Sequence, residues 1–302
     1  MKTSKSPAAV LAVAHLIGES VLAAFAHRFS PKKFTQPQLF ACLVLKEFLQ
    51  LDYRKLAAVL EDAADLRNII ELKTTPHFST FQKAAQRLLS YGLARRLLQA
   101  SLRWARFGGH LGSRVSLAAL DGTGFEARQA SDYYLERRDK TSKSRGQRRS
   151  SRYPKAGIVC DTESHLILAI IPDQGPGSDQ RHYRKALDQA QANVTIGALA
   201  ADAGCDSEAS HTYARTIHKV RTLIPPKIGR PTTKPPSGYW RRQMKSRLHL
   251  TRYTQRWQVE TVNSMLKRLL GSALRARTYW SRCREILLRG LTLNTMILAQ
   301  PP

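Results

Sequence analysis

The sequence predicts an α/β fold, a mixed sheet flanked by helices, preceded by an all-α N-terminal region. Three observations carry that expectation. Up to about Phe107 the apolar residues recur at helical spacing, with short breaks between segments. After Arg114 the rhythm changes to short apolar runs rich in β-branched residues. From Tyr183 onward, helical and strand-like segments alternate before a closing helical stretch.

The segment Met1 to Ala26 imitates a secretory leader, with Lys2 and Lys5, an apolar run from Ala8 to Ile17, and Ala24-Phe25-Ala26. His15 and Glu19 interrupt it. At about 100° per residue Val10, Ile17, Val21 and Phe25 share a face and the two polar residues lie opposite, so an amphipathic helix is expected. Leu39, Leu43, Phe48 and Leu51 supply the next apolar positions, and Asp52 is a candidate N-cap for a helix from Tyr53 to Leu60. Thr75-Pro76 ends a helix, and Ser79 or Thr80 can start another that runs to Ala105. Gly108-Gly109 breaks the chain. The boundary is placed there, giving a helical region 1–112 for DNA binding or dimerisation and an α/β region 113–302.

In the second region Val115 to Leu120 reads as a strand ending at Asp121-Gly122. Ala156–Cys160 and His165–Ile171 read as a hairpin joined by Asp161 to Ser164. A helix from Tyr183 to Ala192 leads to a strand from Val194 to Ala201, which ends at Asp202. A helix from Ser207 to His218, a fifth strand from Val220 to Ile224, a Pro- and Gly-rich loop over 225–237 and helices from Arg241 to Leu298 complete the expectation.

Composition narrows the function. A hydrophobic fraction of 42% in 302 residues supports a packed core and excludes a disordered basic tail. Lys and Arg outnumber Asp and Glu by 49 to 22, a net charge of +27. A folded chain this basic meets a polyanion, and nucleic acid is the first candidate. An RNA-binding structural protein is one rival; the acids at strand ends disfavour it. Cys42, Cys160, Cys205 and Cys283 are far apart without a CxxC pair, which argues against a zinc site or disulfide scaffold and fits a reducing compartment. No stretch is long and apolar enough for a membrane span. The chain lacks a phosphate-binding GxxxxGK[ST] loop, a GxSxG motif and an HExxH motif. His182 and His211 could lie near a functional site, but core or surface roles are the favoured reading.

Three acids stand out: Asp121 and Asp202 at the ends of predicted strands, and Glu260 on a predicted helix. Alone, each has a plain explanation as a turn residue or a solvated helix acid. Together they can converge at one sheet edge, and three carboxylates suffice for two magnesium ions about 4 Å apart that clamp a phosphodiester. On a regular helix Tyr253, Arg256, Glu260 and Lys267 fall within about 60° of one another, opposite Val259, Val262, Met265, Leu266, Leu269 and Leu270. Arg grips phosphate with two parallel hydrogen bonds, and Lys serves as a point charge.

The pattern Tyr253-x2-Arg256-x3-Glu260-x6-Lys267 resembles the Tyr-Arg-Glu-Lys signature of DDE-type insertion-sequence transposases. Leu120-Asp121-Gly122-Thr123, the run from Ala201 to Ser207, and the run from Val259 to Arg268 resemble the segments carrying that family's three acids. The resemblance covers residues 115–298 and extends more weakly over 35–89. It implies an RNase H-like core in which Asp121, Asp202 and Glu260 bind two Mg²⁺ or Mn²⁺ ions. It implies that water cuts one DNA strand at the element's end and that the freed 3′-hydroxyl then attacks DNA in line. It also implies that Tyr253, Arg256 and Lys267 contact phosphate, that the partners are terminal inverted repeats and target DNA, that the chain works as a homodimer on DNA, and that it acts in a prokaryotic cytoplasm at the nucleoid. Two departures stand out. Cys205 occupies a place where the family more commonly has Tyr. The interval from Asp202 to Glu260 leaves no room for the β-rich insertion of some relatives. Asp206 is a fallback ligand if Asp202 faces away. A catalytically inactive DNA-binding relative and an RNase H-like nuclease or resolvase, which cuts without joining, are the alternatives.

Four further features invite a role with DNA. The run from Glu136 to Arg152, with Arg145, Arg148 and Arg149 at its centre, reads as a basic arm reaching phosphates, or as a solvated loop. Trp257 lies beside the signature face and could stack on an unpaired base; capping the core is the favoured reading. Thr35 to Ile69 could form a helix-turn-helix, or serve packing or dimerisation. Arg275, Arg277, Arg282, Arg284 and Arg289 make the last helices basic and could track the DNA backbone, or be solvated.

Overall fold

The computed structural model describes residues 3–127, 152–227 and 234–301. Six helices precede the first strand: α1 (Pro7–Glu19), α2 (Gln36–Phe48), α3 (Tyr53–Asp62), α4 (Ala64–Ile69), α5 (Phe78–Leu88) and α6 (Tyr91–Phe107). Their starts follow local chemistry. The Ser6 side chain accepts from Ala9 N, Thr35 and Gln38 form a reciprocal capping box with Pro37 in the first turn, and Asp52 accepts from Lys55 N at 2.8 Å. The leader-like segment is a helix that buries Val10, Leu11, Ala14 and Ile17. The long helix expected from Ser79 or Thr80 is two helices, capped at the front by His77 rather than by either of them. Ser90 breaks it, with extended backbone that stops the hydrogen-bond ladder between Leu88 and Tyr91.

The sheet has five strands: β1 (Arg114–Gly124), β3 (Tyr153–Asp161), β4 (Ile167–Gly175), β5 (Thr195–Ala201) and β6 (Arg221–Leu223). Their order is β4-β3-β1-β5-β6. The hairpin side is antiparallel, and β1, β5 and β6 run parallel. This is the five-stranded mixed sheet expected for an RNase H-like core. Strand β5 is buried on both faces beyond its first residue, as an apolar run without alternation predicts. A two-residue strand β2 (Glu126–Ala127) pairs with β7 (Ala273–Leu274), a ladder too short to be visible in sequence.

Helix α7 (Gln180–Asn193) covers one face of the sheet. On the other face lie α10 (Trp257–Leu270) and α11 (Tyr279–Leu298). Two short elements complete the chain, α8 (Glu208–Thr212), which continues as a π-turn over Tyr213–Ile217, and α9 (Tyr239–Arg247). Helix α11 is buried over most of its length between β4 on one side and α2 and α6 on the other, so the N-terminal helices and the sheet share one apolar core. Asn294 fixes this contact, accepting from Ile167 N at 2.8 Å and donating to Ile167 O at 3.0 Å. A buried ion cluster ties the same elements together. Arg289 of α11 donates to Glu47 of α2 at 2.9 Å and to Glu285 at 3.0 Å, and Lys46 lies 3.1 Å from Glu47. Two of the arginines read as tracking DNA or as solvated differ in fate: Arg289 is buried in the core, which fits neither reading, while Arg284 is half-buried.

Among the described residues no helix is long and apolar enough to cross a membrane.

Candidate active site

The site forms where two parallel strands part company. The β1–β5 ladder ends at Leu120 opposite Ala201, but β1 continues to Gly124 along β3. Asp121 therefore lies within β1 rather than at its end, at the first position without a β5 neighbour. Asp202 follows the last residue of β5. Strand alternation directs Asp121 to the face of Leu117, where Leu117, Ala198 and Ala200 pack against Tyr253. The other face of β1 belongs to Gly122, above which stands the N-terminus of α7.

From there a third acid arrives. Oxygen atoms of Asp121, Asp179 and Asp202 all lie within 4.8 Å of one another. Asp179 occupies the N-cap position of α7 yet makes no capping hydrogen bond. Its Oδ1 lies 2.6 Å from the Lys155 ammonium, which also donates to Gly177 O at 2.7 Å. A Cβ on residue 122 would sit 2.0 Å from Asp179 Oδ1, so only glycine lets the carboxylate approach β1 this closely. Gly157, paired with Gly122 across the strands, likewise makes room for His182 of α7.

Each acid has a distinct support. Asp121 Oδ2 accepts from Asn263 Nδ2 of α10 at 3.0 Å. Asp202 accepts from Gly204 N at 2.9 Å and from the buried thiol of Cys205, which is thereby held protonated, its affinity for the proton raised by burial and by the neighbouring acids. Burial pushes the Asp121 carboxyl up from its ordinary 3.8 to about 6; the Arg256 charge and a hydrogen bond from Gly122 N oppose the rise, and Asp179 and Asp202 add to it.

Glu260 stands on the first turn of α10, one turn before Asn263, and half of its side chain is exposed. It is ion-paired to Arg256 and lies outside the three-aspartate cluster. Arg256 links the two groups, since its charge acts on both Asp121 and Glu260 and it hydrogen-bonds the Tyr253 hydroxyl. The structure thus brings Asp121 and Asp202 together and sets Glu260 at their margin, behind an arginine.

A family model described as the transposase DDE domain matches residues 113–295, more than half of the chain. The chain belongs to this transposase family. No curated relative matches it.

The remaining expected residues of the transposase take varied places. The signature was read on one regular helix, but Tyr253 and Arg256 lie in a 3₁₀ turn (Arg252–Arg256) that precedes α10. The turn winds tighter than an α-helix, so the common 60° sector does not extend back to them. Arg256 meets Glu260 by hydrogen bonding instead, and Tyr253 hydrogen-bonds Arg256. Lys267 follows Glu260 by seven residues on α10, about 10 Å along the axis, and is half-buried. Trp257 does not cap the core; it is 55% exposed. Arg145, Arg148 and Arg149 lie outside the described residues. Asp206 points away from the site. It is buried with Arg241 Nε at 2.8 Å and with His211 Nε2 at 3.4 Å, and it accepts from Lys227 N at 2.8 Å, so it anchors α9 to the end of β5. His182 and His211 are both buried, His182 beneath α7 and His211 against Thr222.

Sequence reading missed Asp179, Lys155 and Asn263. Asp179 closes the run Gly175-Pro176-Gly177-Ser178 ahead of a helix, which is the ordinary signal of an N-cap. Only the absence of its capping bond sets it apart. Asn263 carried a signal that went unread, as an amide on the otherwise apolar stripe of α10.

The oxygen-rich cluster suits a hard divalent cation. Besides the three carboxylates, Asn263 Oδ1 is buried without a hydrogen-bond partner among the described residues. The gap left by Gly122 admits Asp179 to the same space. The residues present fit such an ion.

Proposed function

We propose that this transposase cuts and joins DNA at the ends of an insertion sequence of the Tyr-Arg-Glu-Lys type, with Mg²⁺ or Mn²⁺ held at Asp121, Asp202 and Glu260. The observation that carries the reading is the convergence of Asp121 and Asp202 at the open end of the β1–β5 ladder, with Glu260 and Arg256 beside them. When bound, two divalent cations would neutralise charge on the attacking and leaving oxygens of an in-line phosphodiester displacement. The chain's own groups supply the rest. Asn263 orients Asp121, and the amide of Gly204 with the Cys205 thiol orients Asp202. Arg256 holds Glu260 through one guanidinium nitrogen and is placed to grip a phosphate when the carboxylate turns inward. Tyr253 steadies the guanidinium.

Lys267 and the exposed Trp257 continue the same surface and suit backbone and base contacts at a processed DNA end. The basic run around Arg145, Arg148 and Arg149 would add phosphate contacts, and residues 1–112 would bind DNA or join two copies as a homodimer. The surplus of basic residues favours duplex DNA as the partner, with a bacterial nucleoid as the setting.

The test is incubation of the full chain with a labelled duplex containing the DNA that flanks its own coding sequence, with Mg²⁺ or Mn²⁺. Nicked ends followed by joined products are expected. Nicking without joining would favour a nuclease or resolvase, and DNA binding without either product would favour an inactive relative.

A further inference from the structure

We infer that Asp179 is an additional cation ligand of this site and that Lys155 is the residue that positions it; the inference rests on the metal-dependent reading above. Asp at a helix N-cap ordinarily accepts from the second or third backbone amide of the helix. Asp179 does not. Its carboxylate is instead turned out of the helix, past Gly122, into the space shared by Asp121 and Asp202. Three acids drawn this close repel one another, so the arrangement needs compensation. Lys155 provides part of it. Its side chain is nine-tenths buried, its ammonium lies 2.6 Å from Asp179 Oδ1, and the carbonyl of Gly177 holds it in place.

The sheet is cut to admit this pair. Lys155 and Gly157 occupy one face of β3, Gly122 pairs with Gly157, and both glycines stand where a Cβ would collide with α7. Asp121 reaches the same space from the opposite face, so the cluster takes carboxylates from both sides of the sheet around the free edge of β1. Asn263, whose Nδ2 donates to Asp121, also carries a buried Oδ1 that has no hydrogen-bond partner among the described residues. Asp121, Asp179 and Asp202 then form the inner set of ligands, and Glu260 joins from outside when Arg256 engages phosphate.

The experiment is a titration of the full chain with Mn²⁺ alone, followed by the electron paramagnetic resonance signal of free Mn²⁺. Asp179→Asn, which keeps the shape, should weaken binding by about tenfold or more. Lys155→Met should weaken it by a comparable factor, and Lys155→Arg should recover most of the affinity, as expected of a residue that orients a ligand. Gly122→Ala should act like Asp179→Asn with no change of charge. Circular dichroism identifies the variants that stay folded. Folded Asp179→Asn or Gly122→Ala protein that binds Mn²⁺ as the wild type does would overturn the inference, while loss in Asp121→Asn alone would leave the underlying metal reading intact. Wild-type affinity in both Asp121→Asn and Asp202→Asn would remove that reading and the inference together.

Discussion

Asp121→Asn should make the metal-free protein more stable. Two unit charges at the 4.8 Å limit of this cluster repel by about 3.5 kcal/mol at an effective dielectric near 20. Asp121 has two such neighbours and is desolvated, against which stands the Arg256 charge. The net result is the rise of its carboxyl from 3.8 to about 6. At about 1.4 kcal/mol per tenfold change in proton affinity, that is a cost of about 3 kcal/mol for the ionised form, reduced to about 2 kcal/mol by the partial exposure of the group. The folded state binds this proton more tightly than the unfolded state. Its contribution is therefore fully present below about pH 4 and is lost as pH rises through about 6. Urea unfolding of chelator-treated wild type and Asp121→Asn should give equal stabilities near pH 4 and a variant about 2 kcal/mol more stable at pH 7. Saturating Mn²⁺ should reverse the order, because only the wild type binds it well. A variant no more stable than the wild type at pH 7 without metal would refute this electrostatic reasoning.

Other outcomes follow from the surrounding packing. Arg289→Met should lower the unfolding free energy by about 3–5 kcal/mol, because it leaves Glu47 charged and buried with only Lys46 for a partner; thermal melts would show it, and a loss below about 1 kcal/mol would mean that the cluster is dispensable. Trp257→Ala should change stability by less than about 0.5 kcal/mol because the ring is exposed, yet it should slow processing of DNA ends; a large loss of stability would return the ring to the core. Binding of duplex DNA, followed by fluorescence anisotropy, should weaken linearly with log salt concentration, with a slope of about −0.9 per phosphate contacted; a flat response would contradict backbone recognition by the basic surface.

What was legible in the sequence and what was not divide along a physical line. Asp121 and Asp202 could be found because each closes an apolar run, and a buried parallel strand leaves that mark whatever packs against it. The antiparallel hairpin of β3 and β4 was legible because its strands, also buried on both faces, read as apolar runs around a short turn. The split of α5 from α6 was missed because Ser90 offers only a weak local signal against the apolar pattern on both sides. The β2–β7 ladder is two residues long and exists only as pairing between distant segments. Asp179 was hidden because its local context, Gly-Ser-Asp before a helix, already has a sufficient explanation in capping. Its place beside Asp121 is settled by two glycines on neighbouring strands, a relation that spacing along the chain does not express. Asp206 was the reverse case: near Asp202 in sequence, it is turned into a buried pair with Arg241. Glu260 was singled out by its spacing to Tyr253 and Arg256, although those two residues belong to a 3₁₀ turn and not to its helix.

The most direct measurement is cleavage of a labelled element-end duplex by Asp121→Asn, Asp202→Asn and Glu260→Gln in Mg²⁺ or Mn²⁺, with DNA binding measured in parallel. Each variant should retain nearly wild-type DNA affinity and lose strand cleavage by at least about a thousandfold. Cleavage at the wild-type rate by any of the three would contradict the assignment of that side chain, and cleavage by all three would contradict the account of the site.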